Sequence, residues 1–183
     1  MDVHDTRLDG VKLIQLAVYQ DARGYFLESF QARRYRGLLG VGLEFVQDNS
    51  SYSTKNVIRG LHYQLRHPQG KLIRVLQGRI IDVTVDVRRD SPQFGCAQAI
   101  TMSFDDFNQL WVPPGYAHGF AVVSDTALVD YKCTDFYVPG DEVCLRWDDP
   151  ALGIAWSVAS PLLSDKDRNG SLLSELLAAG RVF

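Results

Sequence analysis

Apolar and polar residues alternate with a period of two along most of this chain, the spacing of strands that bury one face. The clearest stretch runs from Leu72 to Val87. There Ile81, Val83, Val85 and Val87 share one face and Asp82, Thr84 and Asp86 share the other, with Gln77-Gly78 placed for a tight hairpin turn. The same reasoning predicts strands over Val11–Tyr19, Tyr25–Phe30, Phe45–Ser50, Val57–Gln64, Ala97–Met102, Gln109–Val112, Gly119–Val123, Leu128–Phe136 and Val143–Trp147. Turn residues punctuate them at Asp21–Gly24, His67–Gly70, Ser91-Pro92, Pro113-Pro114-Gly115, Pro139-Gly140 and Asp149-Pro150. Helix is confined to Arg33–Leu39 and to S-L-L-S-E-L-L-A-A at Ser171–Ala179, with Ser171 as N-cap and Gly180 as the stop. Many short strands at this spacing make a sandwich or barrel. The expected fold is all-β: a jelly-roll barrel with a few short helices, one of them C-terminal.

Length sharpens this picture: 183 residues without linker, repeat or low-complexity tract read as a single domain spanning 1–183. A chain of that size can bury a full core without disulfides or metals. Its net charge of −3 lacks the basic surface that nucleic acid or an anionic membrane calls for, so neither is an expected partner. No apolar run approaches the roughly 18 residues of a membrane helix. The polar, acidic start M-D-V-H-D-T-R-L-D-G is not a signal peptide. Cys96, Cys133 and Cys144 fit neither C-x-x-C nor a paired scaffold. They read as reduced thiols of a cytoplasmic protein.

Chemistry concentrates in V-I-R-G-L-H-Y-Q-L-R-H-P-Q-G-K at 57–71, which puts Arg59, His62, Gln64 and Lys71 on one strand–turn–strand stretch. P-P-G-Y-A-H-G-F at 113–120 and D-Y-K-C-T-D-F-Y at 130–137 follow. A neutral imidazole at His62 can take a proton from carbon if a neighbour steadies the resulting cation. Taken alone such a residue is more often a hydrogen-bonded structural histidine, but so many polar neighbours make poor core material. Lys71 is either a solvated strand-start lysine or a cation for a developing enolate oxygen. Tyr131 is core, rim or a phenol acid. His118 follows a turn that would deliver it to a barrel mouth, and it too could be structural. Gln64 stands where the second His of an H-x-H metal pair would be, and the four histidines show no close-pair spacing, so no metal is expected. No G-x-S-x-G elbow, P-loop or G-x-G-x-x-G is present. Strict alternation sets Arg59 and His62 on opposite strand faces, and Gly60 between them allows a bulge that would reunite them.

The segments D-A-R-G-Y-F-L-E from Asp21, F-V-Q-D-N-S from Phe45, I-R-G-L-H-Y-Q from Ile58 and Q-G-K-L-I-R-V from Gln69 carry a family resemblance. So do D-V-T-V-D-V-R from Asp82, S-P-Q-F-G from Ser91, P-P-G-Y-A-H-G-F from Pro113 and Y-K-C-T-D-F-Y from Tyr131. W-D-D-P from Trp147, G-I-A-W from Gly153 and L-S-D-K-D from Leu163 complete the set, in family order over nearly the whole chain. The chain resembles the dTDP-4-dehydrorhamnose 3,5-epimerase family, cupin-fold enzymes of deoxysugar biosynthesis. The resemblance implies epimerisation at C3 and C5 of dTDP-4-keto-6-deoxy-D-glucose to dTDP-4-keto-L-rhamnose, without a cofactor. The alternative within the family is a C3-only epimerase of a dTDP-4-keto-6-deoxyhexose.

The resemblance further implies roles. His62 matches the proton acceptor, Asp167 the carboxylate partnering it, Tyr131 the proton donor and Lys71 the cation at the keto oxygen. Arg23, Glu28, Gln47, Asp48, Asn49, Arg59, His118, Glu142 and Lys166 match positions that hold the nucleotide-sugar. Tyr137 matches the aromatic that stacks on thymine. Phe26 matches an aromatic on an N-terminal segment that crosses to the neighbouring site of a homodimer. Two departures lie at the C-terminus: Ser157 follows Trp156 where proline is frequent, and K-D-R-N-G-S-L-L replaces a proline-containing tail. Both bear only on local conformation there.

Overall fold

In the computed structural model, which describes residues 1–40, 42 and 44–183, the period-two segments become strands of two facing sheets. The strands are β1 (Asp2–Asp5), β2 (Lys12–Gln15), β3 (Val18–Asp21), β4 (Gly24–Leu27), β5 (Gln47–Thr54), β6 (Ile58–Gln64) and β7 (Lys71–Gln77). They continue with β8 (Arg79–Asp86), β9 (Ala97–Ser103), β10 (Asn108–Val112), β11 (Tyr116–Val122), β12 (Thr126–Cys133) and β13 (Glu142–Cys144). Three short helices accompany them: α1 (Ala32–Leu39), α2 (Asp165–Arg168) and α3 (Leu173–Ala178). One sheet runs β1-β2-β10-β7-β12-β5, the other β13-β6-β11-β8-β9, and β3–β4 stands apart as its own hairpin. This is the expected all-β jelly roll.

The alternation decides which residues face which layer. Ile73, Val75, Ile80, Met102, Leu110, Val112, Phe120, Val122 and Val129 come from both sheets and fill the space between them. The opposite face of the second sheet, with Leu61, Tyr63, Val83, Val85 and Val87, is covered by Leu152, Trp156, Leu173 and Leu176 of the C-terminal segment. The outer face of the first sheet, with Ile14, Leu72 and Trp111, is covered by Tyr35 and Leu39 of α1. Each fully buried side chain of this size stabilises by about 1.5–3 kcal/mol. The C-terminal coat matters to function, because it carries α2 to the rim of the barrel.

Several elements differ from the sequence expectation. The Gln77-Gly78 turn is not a hairpin: β7 and β8 lie in different sheets, and Gly78 turns the corner between them. It does so at φ +77 with Thr126 O only 2.0 Å from where a Cβ would sit, a space no side chain could share. The Val11–Tyr19 run splits into β2 and β3: the Leu16 amide still donates to Phe107 O at 3.1 Å, in register with the β2–β10 pairs, and beyond it β3 pairs with β4 instead. Ser171 is not the cap of α3. Its backbone is used in a bridge to Cys144 and Arg146, so Leu172 occupies the N-cap position. Gly180 does end that segment in the left-handed region, at φ 64. His118, expected between the turn and a strand beginning at Gly119, lies within β11, which begins at Tyr116. Ser157 has φ 54, a value the proline ring cannot adopt, so the missing family proline accompanies a different local backbone.

The bulge at Gly60 is present. His118 pairs with His62 and Phe120 with Arg59, so three steps on β6 oppose two on β11. That extra residue turns Arg59 and His62 to the same side. Gly60 is at φ 120, and a Cβ there would lie 2.6 Å from Gly119 Cα and 2.8 Å from His118 O. Gly60→Ala is therefore expected to destabilise the protein by at least about 2 kcal/mol, through strain and overpacking; an unchanged denaturation midpoint would show that the bulge tolerates a side chain.

A second clip shapes the loop after β6. Buried Asp141 accepts from the backbone amides of Arg66 and His67 at 3.1 and 2.8 Å and from both their side chains. Burial alone would push its carboxyl up, but these four donors hold it down at about 2, below the usual 3.8. A carboxyl lowered on folding stabilises above its unfolded pKa and loses that contribution as pH falls through the folded one. Stability of the wild type should thus drop between about pH 4 and pH 2, and Asp141→Asn should flatten that part of a urea-denaturation pH series.

Candidate active site

Between the sheets opens a cavity of about 530 Å³ whose lining includes Asn49, Arg59, His62, Lys71, His118, Tyr131, Glu142, Lys166 and Asp167. Each wall contributes what its strands can aim inward. β6 gives His62 and, through the bulge, Arg59; β11 gives His118; β13 gives Glu142. From the facing sheet β7 gives Lys71, β12 gives Tyr131 and β5 gives Asn49. α2 closes the rim: Ser164 caps it by accepting the Asp167 amide at 3.1 Å, which fixes Asp167 in the first turn, pointing back to β6.

There Asp167 meets His62, with 2.5 Å between its Oδ1 and the imidazole Nε2. Burial raises the Asp167 carboxyl, but the His62 hydrogen bond and charge overcome that and hold it below its ordinary value. A buried carboxylate on Nε2 places the ring proton there and leaves the lone pair on Nδ1, as in other carboxylate–histidine pairs. Glu142 Oε1 stands 3.9 Å from Nδ1, beyond a hydrogen bond. Its Oε2 is neutralised by Lys166 Nζ at 2.5 Å.

Across the cavity the Tyr131 phenol is pushed up by burial and by the charges of Cys133 and Glu142, with Arg59 pulling the other way. It therefore stays protonated and can donate. Lys71 has no carboxylate within 4.0 Å among the described residues, and burial lowers it. A partly buried ammonium without a partner is a site prepared for an oxyanion. Arg59 reaches over to the opposite sheet, donating to Ser53 Oγ at 2.9 Å and Tyr52 O at 3.3 Å. His118 is backed by Asp82, 2.8 Å from its Nε2, with both side chains buried.

Not every predicted site residue lines this cavity. Gln47 and Tyr137 continue outward from it: Gln47 Nε2 donates to Asn49 Oδ1 at 3.1 Å, and Gln47 Oε1 accepts from the Tyr137 amide at 2.9 Å. Tyr137 is half exposed, on a loop held by Gln64. That glutamine donates to Phe136 O at 3.0 Å and accepts from the Val138 amide at 2.7 Å, so it serves the loop and not the cavity. Asp48 points to the outer face and pairs with Lys132 at 2.8 Å. Arg23, Phe26 and Glu28 lie on or beside the β3–β4 hairpin, away from the cavity of their own chain. Arg23 is paired with Asp21, its side chain 90% exposed, and Glu28 with Arg34 at 2.6 Å. Phe26 is 71% exposed.

Sequence reasoning missed Asp82 and Ser164. The first was legible as the polar face of β8, whose burial could not be foreseen; the second follows from the S-x-x-D spacing of an N-cap. It also missed Cys144, which is cross-strand partner to His62. Its Sγ is 3.9 Å from Asp167 Oδ1, and burial, then the Asp167 charge, pushes the thiol up to about 12. All three cysteines are free.

Among the described residues no helix is long and apolar enough to cross a membrane. The family model of dTDP-4-dehydrorhamnose 3,5-epimerase matches residues 5–175. A dTDP-4-dehydrorhamnose 3,5-epimerase of Neisseria gonorrhoeae is 48% identical over 93% of this chain, which spans 52% of that relative's length. One of Shigella flexneri is 46% identical over 93% of this chain and 94% of its own. The crystal structure of a dTDP-6-deoxy-D-glucose-3,5-epimerase from Legionella pneumophila Philadelphia 1, in complex with dTDP-4-keto-L-rhamnose, superposes with a TM-score of 0.95 at 46% identity, covering 99% of this chain and 96% of that one. A match over nearly every strand places the chain in the dTDP-4-dehydrorhamnose 3,5-epimerase family.

Proposed function

We propose that residues 1–183 act as one catalytic domain that epimerises C3 and C5 of dTDP-4-keto-6-deoxy-D-glucose to give dTDP-4-keto-L-rhamnose. The observation that carries this reading is a histidine backed by a buried carboxylate on one sheet and a protonated phenol on the other, both lining one cavity.

In this reading the 4-keto group acidifies the neighbouring C–H bonds, and no cofactor is called on. His62 Nδ1 takes the proton, and the electron pair moves from the C–H bond to the keto oxygen. Lys71 holds the resulting enolate. Asp167 stabilises the imidazolium without itself being protonated. Tyr131 gives its proton to the other face of the carbon, inverting the centre. Solvent then returns a proton to the phenolate and removes one from the imidazolium, so each inverted centre acquires one solvent hydrogen. Arg59, His118, Asn49, Glu142 and Lys166 are assigned to holding the nucleotide-sugar, with Arg59 suited to the diphosphate. Tyr137 and Gln47 carry the base outward, where stacking contributes about 1–3 kcal/mol.

The reading includes a homodimer. The β3–β4 hairpin forms its own two-stranded sheet and exposes Tyr19 and Phe26, 67% and 71% accessible. An isolated two-stranded ribbon with exposed aromatics gains stability by packing on another surface. Swung onto a second copy, it would bring Arg23, Phe26 and Glu28 to the neighbour's cavity, where the cavity of their own chain lacks them; Asp48 is assigned to the same outer rim.

Proton NMR in heavy water tests the chemistry. Wild type should incorporate deuterium at C3 and C5 of the substrate; labelling at C3 alone would replace this reading with a C3-only epimerase. His62→Ala should slow exchange by about 100-fold or more while dTDP still binds, and wild-type exchange in that variant would place the base elsewhere. Lys71→Met should lower the rate by about 100- to 1000-fold, the effect of losing one oxyanion partner, read as kcat in a coupled assay. An unchanged kcat would remove Lys71 from the keto oxygen.

A further inference from the structure

At the cavity wall His62 and Asp167 meet a third donor, Cys144, that the proton transfer does not use. His62 and Cys144 face each other across β6 and β13. Asp167 of α2 closes on both, so that an imidazole nitrogen, a thiol sulfur and a carboxylate oxygen lie within 4.8 Å of one another. A cleft of about 450 Å³ next to the cavity shares Glu142 and Lys166 with it and is also lined by Cys144, Asn169 and Ser171. Sequence spacing shows no metal motif, because the three donors come from positions 62, 144 and 167 and only the fold assembles them.

We propose that His62, Cys144 and Asp167 form an inhibitory site for a borderline-soft divalent cation of the Zn²⁺ class. The inhibitory part rests on the reading of His62 as the base. One nitrogen, one sulfur and one oxygen suit Zn²⁺ and leave a fourth position for water. With ligand bonds of about 2.0–2.3 Å, a tetrahedral ion sets its ligand atoms roughly 3.3–3.7 Å apart. The Cys144–Asp167 separation of 3.9 Å is near that value. The His62–Asp167 contact of 2.5 Å must open, which a turn of the Asp167 side chain about its own bonds can supply.

The chemistry of inhibition follows from the ring. When Nε2 gives its lone pair to the ion, the neutral imidazole carries its proton on Nδ1. The nitrogen that accepts the substrate proton is then already occupied. Binding moves the ring proton from Nε2 to Nδ1 and releases the thiol proton to solvent. Thiolate and carboxylate together neutralise the dication. Hard cations such as Mg²⁺ favour all-oxygen, octahedral shells and have no reason to settle here.

The test uses the full-length protein with Co²⁺ as an optical probe and Zn²⁺ as inhibitor. Wild type should show a thiolate-to-cobalt absorption band at one ion per chain, and Cys144→Ser and Cys144→Ala should lack it. Zn²⁺ should suppress substrate deuterium exchange in wild type, EDTA should restore it and Mg²⁺ should have no effect. Both Cys144 variants should keep basal exchange and need at least about tenfold more Zn²⁺ for the same suppression. Absence of the cobalt–thiolate band in wild type overturns the site, as does Zn²⁺ sensitivity in the Cys144 variants equal to that of wild type. A cobalt–thiolate band with exchange intact under Zn²⁺ would keep the metal site and overturn His62 as the base, so the two readings fail separately.

Discussion

One unpaired residue on β6 governs the site. Between the pairs His118–His62 and Phe120–Arg59, strand β6 carries one residue more than β11. A strand reverses its side chains at every residue, so without this mismatch Arg59 and His62 would face opposite layers. One would be lost to the apolar coat of Leu152, Trp156 and Leu176, which could neither solvate nor pair a charge. A Cβ at residue 60 would lie within 3 Å of the β11 backbone, and glycine there meets that steric demand. The rest of the cavity is ordinary alternation around this single irregularity.

The electrostatics divide into two sets. One set on the cavity surface is of cations or neutral donors: Arg59, Lys71, Lys166, Tyr131. Of the carboxylates, Asp82 stands behind His118, while Asp167 and Glu142 reach the lining already engaged by His62 and Lys166. The arrangement suits an anionic guest that becomes more anionic at its keto oxygen during reaction. An unengaged carboxylate would repel that guest, whereas one paired with an imidazole orients the ring and stabilises its cation. The paired histidines differ in surroundings: His118 and Asp82 are sealed into β11 and β8, while His62 and Asp167 join a strand to a short capped helix.

Much of this was legible in the sequence, and the failures have physical causes. Period-two patterning located most strands because one face of each is buried. It could not say which sheet a strand joins, so Gln77-Gly78 read as a hairpin although the chain crosses to the other sheet there. The cavity residues His62, Lys71 and Tyr131, proposed as the catalytic set, were readable from motif and resemblance, and the bulge from Gly60 and parity. The partners were harder. Asp82 looked like the solvent face of β8, since alternation alone cannot distinguish water from a barrel interior. Cys144 gave no signal, because its importance is a cross-strand neighbour 82 positions away in a register that no local pattern encodes. Arg23, Phe26 and Glu28 are local in sequence yet remote from the cavity, as expected of residues whose proposed role lies in a second copy.

The two-sheet architecture also explains why this fold suits inversion at carbon. Stacked sheets pack about 10 Å apart, enough for side chains from both walls to reach a ring lying between them. An acid and a base on one strand would approach a carbon from the same side and return the proton whence it came. Here the proposed base is on β6 and the proposed acid on β12, strands of opposite sheets, so under the proposed mechanism delivery to the far face follows from the topology. What the sheets cannot supply is the fixed tautomer of the base, because strand neighbours alternate away from it. That is supplied by α2, a four-residue helix held at the barrel rim by the C-terminal coat, whose capped first turn places Asp167 on Nε2. The apparently passive C-terminal third thus sets the protonation state on which the chemistry of the barrel depends.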